Sequence, residues 1–75
     1  MSWQDFIEVR PGVALGKPVF KGTRLTVEFV LERLGDGATI EDLVQNYVGL
    51  TPDHVRAAAA YAAAELRRDE LVWSA

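Results

Sequence analysis

The sequence predicts a mainly α domain, in which a short N-terminal β-hairpin precedes a three-helix bundle of helix-turn-helix type. Three observations predict it. Residues 6–25 hold short β-type runs broken by Pro and Gly, the apolar spacing changes to i, i+3, i+4, i+7 from Thr26 onward, and cap and stop residues divide that second region into three. The 75 residues, 8.3 kDa in all, read as one domain over 1–75, with a hairpin arm at 6–25 and the bundle at 26–72.

The first strand is expected in Phe6-Ile7-Glu8-Val9-Arg10, which alternates weakly and stops at Pro11-Gly12. There Pro presets φ and Gly accepts the positive φ of a type II turn. Pro18-Val19-Phe20-Lys21 reads as a second strand, with Gly22 as a tight reversal before Thr23-Arg24-Leu25. The first helix is predicted over 27–35, with Val27, Val30, Leu31 and Leu34 as its stripe, Thr26 as its cap and Gly35-Asp36-Gly37 as its stop. Leu25 and Val30 form its hydrophobic staple. The second helix repeats the spacing with Ile40, Leu43, Val44 and Tyr47, capped by Thr39, acidic in its first turn and ended by Gly49. Leu50-Thr51-Pro52-Asp53-His54-Val55 then supplies staple, cap, first-position proline, acid and staple partner in succession.

The third helix is predicted from Pro52 to about Leu71, and its middle, Ala57 to Ala64, has no polar face. A helix apolar all round is normally buried all round. One side, with Val55, Ala59, Ala62 and Leu66, is expected to cover the first two helices, and a homodimer is expected to bury the alanine surface that remains. Its interface residues are read as Ala58, Tyr61, Ala62 and Glu65. The small size points the same way, because a chain this short buries only about 60% of its unfolded surface. No cysteine is present to add a disulfide.

Net charge is −3 with a pI of about 4.9, which disfavours a wholly nucleic-acid-binding surface. The average conceals an asymmetry. Arg10, Lys17, Lys21 and Arg24 form a +4 segment without a single acid, while the remaining four basic residues face all eleven acids and sum to −7. The segment is either a local anion-binding surface or a set of charges that balances the acidic helices within the chain.

Catalytic and metal chemistry find little to work with. His54 has no cysteine, second histidine or nearby serine as a companion, and reads as a first-turn surface residue. Glu28 and Glu32, one turn apart, read as a solvated acidic face. Gly16-Lys17-Pro18-Val19-Phe20-Lys21-Gly22-Thr23 has the wrong order for a phosphate loop, so nucleotide binding is rejected. No catalytic residue, metal or cofactor is expected. Helices two and three, joined through Val48-Gly49-Leu50, match a helix-turn-helix pattern. Yet the third helix offers Asp53, His54 and Arg56 at its start, a poor set for reading bases. Trp3 and Trp73 are expected to pack on each other near the termini. The Met1–Asp5 segment lacks a secretory signal, and the eight-residue apolar run Ala57–Ala64 is far below the roughly 20 that span a bilayer. A cytoplasmic location without a membrane partner is therefore expected.

Gly16-Lys17-Pro18-Val19-Phe20-Lys21-Gly22-Thr23-Arg24-Leu25 resembles the domain-of-unknown-function family numbered 433, as do Ala38-Thr39-Ile40-Glu41-Asp42-Leu43, Tyr47, Leu50-Thr51 and Val55-Arg56-Ala57-Ala58. The likeness runs over roughly residues 7 to 64. Leu15 stands where that family often has a glycine, and Thr26 and Val48 stand where prolines are common. The resemblance implies a helix-turn-helix-like fold and an antitoxin of the VapB kind, encoded beside a PIN-like ribonuclease toxin. The expected function is a non-catalytic protein that sequesters such a toxin, with Lys17, Lys21, Arg24, Arg10 and Arg56 as its partner-binding residues. A dimeric DNA-binding autorepressor, with operator DNA as partner, and a purely structural dimerisation module are the alternatives.

Overall fold

In the computed structural model, which describes residues 2–68, a 3-10 turn at Trp3–Asp5 leads into strand β1 (Ile7–Glu8). The chain then turns through a loop, containing a second 3-10 turn at Ala14–Gly16, into strand β2 (Val19–Phe20). Helices α1 (Val27–Gly35), α2 (Ile40–Asn46) and α3 (Pro52–Arg68) follow. The two strands pair antiparallel, with Ile7 opposite Phe20 and Glu8 opposite Val19. This is the predicted architecture, with strands shorter than the sequence suggests. At Gly12, φ is +81° and the Val13 N–H donates to the Arg10 carbonyl at 3.1 Å, so the expected turn forms, although β1 itself stops at Glu8.

Each helix begins where its cap dictates. The Thr26 hydroxyl accepts from the Phe29 N–H at 3.0 Å, and the last turn of α1 closes as Ala38 N–H donates to Arg33 and Gly37 N–H to Leu34. Gly37 takes φ +105°, which a residue with a Cβ resists. At α2, Thr39 and Asp42 form a reciprocal capping box: each side chain accepts from the other's backbone N–H, at 3.0 and 2.9 Å. Two hydrogen bonds hold the Asp42 carboxylate below its ordinary pKa, the backbone N–H of Thr39 contributing most.

Phe20, Val30, Leu43, Leu50 and Val55 meet in one core with Ile7, Val27, Ala57 and Ala58. Both strands therefore sit on the helices instead of projecting as a free arm. Phe20 is fully buried and Ile7 nearly so. Leu25 packs against the core that holds Val30, and Leu50 and Val55 both lie in that core, consistent with the two expected staples.

Three details depart from expectation. Helix α3 buries Val55, Ala57 and Ala58, whereas Ala59 and Leu66 face outward. An all-alanine run gives no periodic signal, and only the flanking Val55 and Tyr61 fix which side turns in. His54 is half buried and stands edge-on to Phe6 and Phe20, with centroid separations of 5.1 and 5.6 Å. Its Nδ1 accepts from the Thr51 N–H at 3.1 Å, so the ring caps α3 instead of lying on the surface. Trp3 packs edge-on against Tyr61 at 4.9 Å, while Trp73 and the predicted end of α3 near Leu71 lie outside the described residues.

Candidate functional site

The site begins with Phe20, whose buried ring anchors the turn that follows. Lys21 N–H donates to the Phe6 carbonyl at 2.8 Å and Thr23 N–H to the Phe20 carbonyl at 3.0 Å, across Gly22 at φ +78°. The Thr23 hydroxyl donates to the Phe20 carbonyl at 2.8 Å and accepts from the Leu25 N–H at 3.0 Å. Phe20 N–H closes the loop onto the Leu25 carbonyl. These hydrogen bonds brace the turn, on which Lys21 and Arg24 stand as exposed cations.

The four cations of the basic segment divide into two pairs. Lys17 Nζ lies 2.9 Å from Glu28 on α1, and this hydrogen bond, followed by the Glu28 charge, raises its pKa above 10.5. Arg10 Nε lies 3.0 Å from Glu8, and its guanidinium also reaches the Thr23 carbonyl at 3.5 Å. Among the described residues, no carboxylate lies within 4 Å of Lys21 or Arg24. Arg56, at the start of α3, pairs with Asp53 at 2.5 Å. The turn thus gathers Lys21, Arg24 and the neighbouring Arg10, while Lys17 and Arg56 serve contacts elsewhere.

Arg24 also borders a cleft of about 340 Å³ between the hairpin turn and the α2–α3 connection. Phe20, Leu25 and Leu50 are among its apolar walls, with Tyr47 and the fully exposed Val48 on the far side. Tyr47 is braced edge-on by Phe29 at 5.4 Å, and Gly49, at φ +89°, turns the chain back into α3. A cation beside an apolar recess fits an acidic group next to an apolar one, the cation satisfying the charge and the recess removing hydrocarbon from water. Sequence reasoning named Arg24 but missed Tyr47 and Val48 as its companions. Val48 carried a signal, since a large apolar residue beside a turn glycine has no helix stripe to join.

Of the residues expected at a dimer interface, Tyr61, Ala62 and Glu65 line a groove between α1 and α3. Ala58 is wholly inside the chain's own core, out of reach of any partner in this conformation. Among the described residues, no three His, Cys, Asp or Glu side chains gather as metal ligands, and no helix is long and apolar enough to cross a membrane.

The family described as "Protein of unknown function (DUF433)" matches residues 7–62. The fold is also similar to the crystal structure of a DUF433 member protein from Anabaena variabilis, at 31% sequence identity and a TM-score of 0.79. That alignment covers 87% of this chain and 64% of the Anabaena chain, so this chain spans less than two thirds of its neighbour's length. No curated protein matches the sequence.

Proposed function

Since the chain belongs to the DUF433 family of proteins of unknown function, we propose that it is a non-catalytic antitoxin-type protein that binds a PIN-like ribonuclease through the Lys21–Arg24 turn. The observation that supports this reading is Arg24: an exposed guanidinium on a braced turn, beside an apolar cleft, with no carboxylate of the described residues within 4 Å. A nuclease centre that holds metal ions is rich in carboxylates, and a guanidinium meets a carboxylate with two parallel hydrogen bonds. Arg24 in that centre displaces metal or RNA by competition. Lys21 adds a second charge, and the Phe20–Leu50 recess takes an apolar neighbour.

The ion pairs refine the expected contribution of each cation. Lys17 is already engaged by Glu28, so its loss changes partner affinity less than the loss of Arg24. The experiment is neutralisation of the ribonuclease in vitro by purified variants. Arg24→Ala weakens inhibition by about tenfold or more, the range for truncating a charged anchor, and Lys17→Ala stays near wild type. Full inhibition by Arg24→Ala overturns the assignment.

A further inference from the structure

Arg24 borders two recesses. Beside the cleft at the α2–α3 connection lies a second hollow of about 320 Å³, lined by Arg24, Leu25, Thr26, Phe29 and Tyr47. Arg24, Leu25 and Tyr47 line the first cleft as well, so these three residues form a wall that the two hollows share. Among the described residues no acidic side chain lines either hollow, and none lies within 4 Å of the Arg24 guanidinium. A single small anion uses only the cation and leaves both apolar hollows empty.

The fold holds both hollows in shape. Phe29 braces Tyr47 edge-on, and the Arg33 guanidinium lies 5.4 Å from the centre of the Phe29 ring. The Leu50 N–H donates to the Tyr47 carbonyl at 3.1 Å, which fixes the connection that carries Val48. Val48 itself is fully exposed at the first hollow, so a ligand there covers apolar surface that the chain leaves in water. Walls already in place lower the ordering cost of binding.

An extended peptide matches this arrangement. Alternate side chains of an extended strand lie on one face, so an acidic residue can meet Arg24 while the residues two positions before and after it enter the two hollows. Nucleic acid fits less well. Its phosphates engage the cation without covering the apolar walls, and a chain of net charge −3 repels a polyanion. We infer that Arg24 and its two flanking hollows form a docking groove for an extended segment of a partner protein, with a carboxylate residue between apolar residues at i−2 and i+2. The inference rests on the reading of the Lys21–Arg24 turn as a protein-binding surface, and adds the sequence pattern that this surface selects.

Fluorescence polarisation tests it with the purified full chain and a labelled peptide, Ser-Leu-Ser-Asp-Ser-Leu-Ser, blocked at both ends. The wild type binds this peptide saturably below about 1 mM. Replacing the peptide's aspartate by asparagine weakens binding about tenfold, and replacing either leucine by serine weakens it about fivefold. Arg24→Ala binds the aspartate and asparagine peptides alike. Val48→Asp, at a fully exposed position, weakens binding of the aspartate peptide, and circular dichroism checks that both variants are folded. No saturable binding up to about 1 mM overturns the inference, as does wild-type binding indifferent to the aspartate or to both leucines. A thymidine oligonucleotide that binds more tightly and displaces the peptide also overturns it. The assay is separate from the ribonuclease: neutralisation that needs Arg24 without peptide binding removes only the groove, whereas peptide binding with full neutralisation by Arg24→Ala removes only the ribonuclease assignment.

Discussion

Arg24 and Lys17 have the same charge sign and lie seven positions apart, yet the fold gives them different work. Lys17 reaches Glu28 across the start of α1, and this exposed pair adds little to stability. Because its pKa is raised, the contribution tied to the Lys17 charge is present at neutral pH and is lost as pH climbs above 10.5 through the folded value. Arg24 has no such partner among the described residues and remains available to another molecule. The charge asymmetry was legible in the sequence; the division within it was not, because Glu28 meets Lys17 only once the hairpin docks on α1. A second residue-scale feature is Leu15, at φ +58° and 95% exposed, with Ala14 beside it at φ +50°. The left-handed region is unfavourable for a branched side chain, and Leu15 has almost no packing to lose. Leu15→Gly is therefore expected to stabilise the fold by about 0.5–1 kcal/mol, after the extra unfolded-chain entropy of glycine is subtracted. Urea unfolding checks this. A lower midpoint for the variant contradicts the account of strain at this loop.

Among the elements, the helices were the most legible. Thr26, Thr39 and Thr51 each sit one residue before a helix, and α1 occupies the predicted 27–35 because its cap and its Gly37 stop are both explicit in the sequence. The orientation of α3 was less legible, since eight successive positions from Ala57 differ only at Tyr61 and burial cannot be ranked among equal side chains. His54 was misjudged because an imidazole that accepts a backbone hydrogen bond three residues back is invisible without the turn geometry. The capping box of α2 has a measurable pH signature. Asp42 is held below its ordinary value of 3.8, so its contribution is present above that pH and is lost as pH falls through the folded value. Asp42→Asn is expected to lower the unfolding temperature at pH 7, with the difference from wild type shrinking as the solution is acidified below 3.8. A difference that stays constant down that acid limb removes the charged cap from the account.

At the scale of the whole molecule, the hairpin is a wall of the core, and this is what brings Lys21, Arg24 and Arg10 together at one turn. Phe20 and Ile7 fix the strands on the helices, the Phe20–Thr23 turn fixes Lys21 and Arg24, and the α2–α3 connection closes the cleft beside them. Residues 20–25 and 46–50 are distant in sequence and adjacent only in the fold, so the cleft could not be read from spacing, whereas the cationic wall could. The start of α3, where a helix-turn-helix reader carries its base contacts, instead holds Arg56 on Asp53 and His54 between two phenylalanine rings. The cationic surface with the most open chemistry is thus the turn. Its role is tested most directly by tagging the chain in its native cell and comparing what co-purifies with the wild type and with the Lys21→Ala/Arg24→Ala double variant. A ribonuclease recovered with the wild type and lost from the folded double variant is the predicted result. A ribonuclease retained by both, or DNA recovered in its place, contradicts the account.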